Sequence, residues 1–75
     1  MQRNVLNQTR VKVFKVKIYD VLSDEFRVSR RMATECGAER MRGQVIPNTE
    51  ILINADDLEL GEQWTKIDFI PNNKN

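Results

Sequence analysis

Residues 10 to 20 carry the pattern that most restricts what this chain can fold into. Apolar and polar side chains alternate there, in the order Phe14, Lys15, Val16, Lys17, Ile18 and Tyr19. Strict alternation over this length is typical of a β-strand with one face buried and the other in water. Val11 and Val13 have the opposite parity, which a bulge near residue 13 explains more simply than burial of both faces.

A second alternating run follows after a short connection. Phe26 and Val28 take one face of this run, and Arg27 and Ser29 take the other. Two such runs so close together favour an antiparallel hairpin. If the apolar residues of both strands face the same way, the opposite face of the sheet carries a group of polar and basic side chains, namely Lys15, Lys17, Tyr19, Arg27 and Arg31.

The third element is a short helix, predicted over residues 35 to 42. Thr34 is a suitable N-cap, the first turn is acidic, the last turn holds two arginines, and Gly43 suits the position after the helix. Gly37 lies on the apolar side, where it lets the helix approach the sheet closely. Cys36 lies beside it and is interpreted as a small core residue.

The remaining residues predict two further strands, at 44 to 46 and 49 to 54, followed by a brief helical turn and a last extended segment around Trp64. Leu58 and Leu60 are expected to close the edge of the core. The predicted fold class is α+β: a small antiparallel β-sheet with one short helix packed on one face, in the order β-β-α-β-β, with room for a short final strand. Residues 10 to 70 form the single domain, with a flexible leader at 1 to 9 and a flexible tail at 71 to 75.

The composition limits the disulfides and metal sites that the chain can form. The chain has 75 residues, one cysteine and no histidine, so it cannot form an intrachain disulfide and lacks the commonest zinc ligands. The acidic residues between 56 and 62 miss the spacing of a calcium loop. No metal and no cofactor are expected. Self-association is then the remaining way to stabilise so small a core.

The same composition bears on location. A lone thiol fits a reducing compartment, and no apolar run approaches the roughly 20 residues of a membrane span. The start of the chain has no signal-peptide core. The sequence therefore predicts a cytoplasmic protein without a membrane partner.

Charge is divided unequally along the chain. Residues 1 to 43 hold ten Lys and Arg against five Asp and Glu, a net of +5, whereas residues 44 to 75 hold two against six, a net of −4. Such a division can serve an external polyanion, or it can be satisfied within the chain or by a second copy.

The predicted function is a small non-enzymatic protein-interaction module that forms a homodimer and binds a further, unidentified protein. No histidine is present for general-base chemistry, and no glycine-rich phosphate loop is found. One alternative is a nucleic-acid-binding accessory protein or regulator that uses the basic face of Lys15, Lys17, Tyr19, Arg27 and Arg31. A second alternative is an inhibitor of a host protein, encoded by a phage or mobile element.

Overall fold

Strand β1 (Arg10–Asp20) is the centre of a four-stranded antiparallel sheet in the computed structural model, which describes residues 9–71. Strand β2 (Glu25–Ala33) pairs with one edge of β1. The short strands β3 (Gln44–Val45) and β4 (Ile51–Asn54) pair with the middle and the start of β1, respectively. Helix α1 (Glu35–Arg40) and a 3-10 turn complete an α+β fold, which confirms the predicted class.

A threonine fixes the connection between β3 and β4. The hydroxyl of Thr49 accepts a hydrogen bond from the backbone N–H of Lys15 at 2.9 Å and donates one to the carbonyl oxygen of Ile46 at 2.7 Å. The N–H of Ile46 in turn donates to the carbonyl oxygen of Lys15. Because these bonds hold the loop against β1, the strands β3 and β4 follow one another along the same edge.

The predicted bulge near residue 13 is wrong, because the irregularity lies further along and belongs to the neighbouring strand. Lys15 pairs with Met32, whereas Lys17 pairs with Val28. Between these two pairs, β1 has one intervening residue and β2 has three. The two extra residues are therefore in β2, and β1 runs through without interruption.

Both faces of β1 are covered instead. Val13 and Val16 are each 0% exposed, and an odd spacing along a strand places them on opposite faces. The group on the helix side consists of Val16, Ala33 and Ala38, packed against Ile18, Met41, Val45 and Trp64. On the other face Val13 and Ile53 are buried. The core is thus divided into two thin layers with β1 between them.

Helix α1 (Glu35–Arg40) is two residues shorter than predicted. The hydroxyl of Thr34 accepts from the N–H of Gly37 at 3.0 Å, which confirms the expected N-cap. At the other end the N–H groups of Arg42 and Gly43 donate to carbonyl oxygens of the last helical turn. Arg42 adopts the left-handed φ of 63°, so the chain leaves the helix by a Schellman-type cap one residue before the glycine.

Two glycines around the helix are required by close contacts. A Cβ at Gly43 would lie 2.6 Å from a methyl carbon of Val16 and 2.8 Å from the carbonyl oxygen of Lys17. A Cβ at Gly37 would collide with the backbone carbonyl of Gln63. The close approach predicted for Gly37 is therefore made to the C-terminal segment, which lies beside the sheet.

The prediction that Cys36 is a core residue is wrong. The side of α1 that faces the sheet carries Gly37 and Ala38, both buried, whereas Cys36 is exposed. A helix this short buries only one narrow stripe, and Ala38 occupies the place that sequence reasoning gave to the cysteine.

The final extended segment lies along the outer edge of β2. The N–H of Thr34 donates to Gln63, and the N–H groups of Thr65 and Asp68 donate to the carbonyl oxygens of Met32 and Arg30. Only isolated β-bridges form there, so no fifth strand is present among residues 9–71.

Two further predictions concern the ends of the chain and its loops. Leu60 was expected to close the core's edge, but it is almost fully exposed, while Leu58 is half-buried. Apart from Thr9 and Pro71, the predicted leader and tail lie outside the described residues. Within the described range, no helix has the length and hydropathy needed to cross a membrane.

Candidate functional site

The turn end of the β1–β2 hairpin exposes an unusual amount of apolar surface. Two aspartates shape the turn at 21–24. The carboxylate of Asp20 accepts a hydrogen bond from the N–H of Leu22 at 3.0 Å, and Asp24 adopts a left-handed φ of 57°. At the tip Val21 and Leu22 are exposed, the latter by 97%. Large apolar side chains at a turn are not explained by the fold, because they contribute nothing to the core.

The apolar surface continues along one face of the hairpin. Tyr19 pairs with Phe26 and Lys17 pairs with Val28, and directly opposed residues of an antiparallel pair share a face. The rings of Tyr19 and Phe26 meet edge to face with centroids 5.4 Å apart. The ammonium of Lys17 lies 4.9 Å from the centroid of the Phe26 ring. Lys17, Tyr19, Phe26 and Val28 are called the hairpin face below.

The condition that the apolar residues of both strands face the same way is not met for Phe26 and Val28, and the register explains why. The four-residue turn sets Asp20 opposite Glu25, and this pairing places Arg27 opposite Ile18. Apolar residues of β2 therefore share a face with the polar residues of β1. Counting the residues of the turn was the only signal in the sequence that could have revealed the hairpin face.

The structure does not bring all five predicted site residues together. Lys17 and Tyr19 lie on the hairpin face. Arg27 lies on the opposite face, where its Nε donates to an oxygen of Asp20 at 2.8 Å. Lys17 and Arg27, which were both expected to contact phosphates, are thus separated by the thickness of the sheet.

Arg31 is engaged by the C-terminal segment. Its Nη1 donates to the carbonyl oxygen of Thr65 at 2.8 Å and lies 3.5 Å from a carboxylate oxygen of Glu59. The side chain is half-buried, and these contacts hold the segment to β2. Arg31 also lines the cleft described next, but its guanidinium is already bound to the C-terminal segment, so we assign it a structural role there.

Lys15 lies at a cleft that continues from the hairpin face. The cleft has a volume of about 580 Å³ and opens between β2 and the end of the described chain. Its apolar lining is formed by Val28, Met32, Ile51, Phe69, Ile70 and Pro71. Polar side chains at its margin include Lys15 and the ion pair of Arg30 with Asp68. Val28 belongs to both surfaces, so the cleft and the hairpin face form one continuous site.

The carboxylates of Asp20 and Asp68, near the site, have pKa values below their ordinary range. The hydrogen bond from Arg27 lowers the pKa of Asp20, with a contribution from the N–H of Leu22. The two hydrogen bonds from Arg30, at 3.0 and 2.6 Å, lower the pKa of Asp68. Both pairs are open to water, so each stabilises the fold only modestly.

These shifts predict a small acid dependence of stability. Since both folded pKa values lie below the unfolded value of 3.8, the stabilisation is complete above that pH and is lost as the pH falls through the folded values. The unfolding free energy should therefore decrease less steeply below about pH 4 in the double variant Asp20→Asn and Asp68→Asn than in the parent. Urea unfolding across this range measures the slope, and identical slopes would contradict the assignment.

Metal-ligating and thiol side chains were the other candidates for a site in the described part of the chain. Between residues 9 and 71, no group of three or more carboxylate or thiol side chains is placed to hold a metal ion. Cys36 is exposed on the helix, away from the hairpin face. Comparison of the chain with protein-family models, with curated proteins and with solved structures finds no match.

Proposed function

We propose that this chain is a non-enzymatic protein-interaction module that forms a homodimer through the hairpin face and the outer edge of β2. The observation that carries the proposal is the exposure of Tyr19, Phe26 and Val28, by 45, 53 and 58%, side by side on one face of a hairpin. Single exposed apolar residues are ordinary, but a contiguous cluster marks a surface that another molecule covers.

The backbone of β2 offers a second feature of an interface. From Arg30 onward its outer edge is occupied by the C-terminal segment, beginning with the bond from the N–H of Asp68. From Glu25 to Ser29, no described residue pairs with that edge. An unpaired edge beside exposed apolar side chains is a template for a strand from another chain.

A second copy fits this edge with complementary charges. If the two edges pair antiparallel about a two-fold axis through Phe26, then Glu25 of one copy lies opposite Arg27 of the other. The same arrangement places the two Phe26 side chains next to each other. Two charge pairs and a shared aromatic contact follow from one symmetry operation.

The test of this proposal is a charge introduced into the shared contact. Phe26→Glu should convert the dimer to a monomer, because two carboxylates would meet at the axis. Leu60→Glu is the matched control: it adds the same charge at an exposed leucine outside the hairpin and should leave the dimer intact. Light-scattering mass at about 50 and about 500 mM salt measures both, with circular dichroism to confirm that each variant is folded.

Two results would contradict the proposal. A parent chain that remains monomeric at about 1 mM under both salt conditions would contradict it. So would a Phe26→Glu variant that is folded and still dimeric.

One observation favours a second candidate, the binding of single-stranded nucleic acid. The hairpin face holds two exposed aromatic rings next to Lys17, and Lys15 lies nearby at the cleft, a combination that suits base stacking and phosphate contacts. Complex formation with short DNA or RNA that disappears at high salt would support it. We rank it second because Val28 and the apolar tip have no role in stacking.

The cytoplasm is the compartment we assign to the module. Cys36 is exposed and is the chain's only cysteine, and a reducing environment keeps such a thiol free.

A further inference from the structure

Resting on the proposed dimer, we infer that the cleft of each copy is filled by the hairpin tip of the other copy. The tip and the cleft are parts of the apolar surface that pairing of the β2 edges leaves uncovered. Each copy would then complete the other's site. The inference rests on position, shape and charge.

Position follows from the symmetry of the pairing. With the axis at Phe26, Asp24 at the end of the turn lies opposite Val28 of the other copy, two residues or about 7 Å from the axis. Val28 lines the cleft, and the free edge ends two residues further on, at Arg30. The turn that carries Val21 and Leu22 therefore lies beside the cleft of the other copy.

Shape and polarity agree with this placement. Val21 and Leu22 are the most exposed apolar side chains of the hairpin. The cleft that they reach is lined by apolar groups, among them Met32, Ile51 and Phe69. Its volume of about 580 Å³ exceeds what two aliphatic side chains fill, which leaves room for the backbone of the turn.

Charge also favours the tip as the occupant. Asp24 ends the exposed turn and Glu25 follows it, and the structure pairs neither of them with a basic side chain of residues 9–71. The margin of the cleft carries Lys15, which has no ion-pair partner among the described residues, and Arg30, which is paired with Asp68. Acidic residues at the tip and basic residues at the cleft are complementary between copies and contribute to a fixed orientation.

Cysteine cross-linking tests the contact directly. In a Cys36→Ser background, a Leu22→Cys chain mixed with an Ile70→Cys chain should form a disulfide-linked heterodimer on mild oxidation. Ile70 is an exposed residue of the cleft, so its replacement should not disturb folding. Leu60→Cys mixed with Ile70→Cys is the matched control and should cross-link far more slowly.

The affinity of the dimer provides the second measurement. Leu22→Ser should raise the dimer dissociation constant at least about tenfold, as expected for an anchor side chain seated in an apolar pocket. A dimer that is unaffected by Leu22→Ser and does not form the cross-link would overturn this inference while leaving the proposed dimer in place. A chain that is monomeric throughout would overturn both.

Discussion

Gly37→Ala is expected to destabilise the protein by about 1 to 3 kcal/mol, as overpacking does in a close contact. The added methyl group would collide with the carbonyl of Gln63. That carbonyl cannot easily withdraw, because it accepts the hydrogen bond from the N–H of Thr34 at 3.0 Å. The contact fixes the distance between α1 and the C-terminal segment.

The sign of the stability change caused by Gly37→Ala distinguishes this contact from an effect of helix propensity. Propensity alone predicts that alanine stabilises the helix by about 1 kcal/mol relative to glycine. Glu39→Ala is the control within the same helix, and as an exposed substitution it should change stability by less than about 0.5 kcal/mol. Urea unfolding, followed through the single Trp64 at fixed protein concentration, measures all three chains. A stabilised Gly37→Ala variant would show that α1 and the C-terminal segment are further apart than in this structure.

The second large effect is expected at the two buried valines of β1. Val13→Ala and Val16→Ala should each lower the free energy of unfolding by about 2 to 3 kcal/mol, the sum of lost burial and the cavity left behind. Their effects should be similar even though the two side chains lie on opposite faces. A total stability of about 4 to 11 kcal/mol for a chain of this size makes either loss substantial.

The comparison of the two valines tests whether both faces of β1 are covered. Leu60→Ala removes more apolar atoms than either variant, but from an exposed position, and should cost less than about 0.5 kcal/mol. If Val16→Ala is costly and Val13→Ala is as mild as this control, the second layer is not packed. Thermal or urea unfolding of the four chains decides the question.

Most of the fold was predictable because its signals are local. Alternation identified β1, and the capping hydroxyl of Thr34 located the start of α1. The helix end was less accurate. The left-handed position fell to Arg42, because Gly43 was required one residue later for its contact with Val16 and Lys17.

The candidate site was predicted only in part. Lys15, Lys17 and Tyr19 lie on or beside the apolar surface, and Arg31 lines its cleft while holding the C-terminal segment. Arg27 does not belong to the surface, because it is on the opposite face with Asp20. Phe26 and Val28, which the alternation assigned to the core, proved to be central to the surface.

The sequence by itself determined which residues form strands and helix, because alternation and capping act over a few neighbouring residues. Only the tertiary structure decided which faces those strands share. The four-residue turn set the register of the hairpin, the two extra residues of β2 shifted it beyond Lys15, and the C-terminal segment covered one part of the β2 edge but not the other. A side chain's face in a sheet depends on its partner across the strands, and that partner is distant in the sequence.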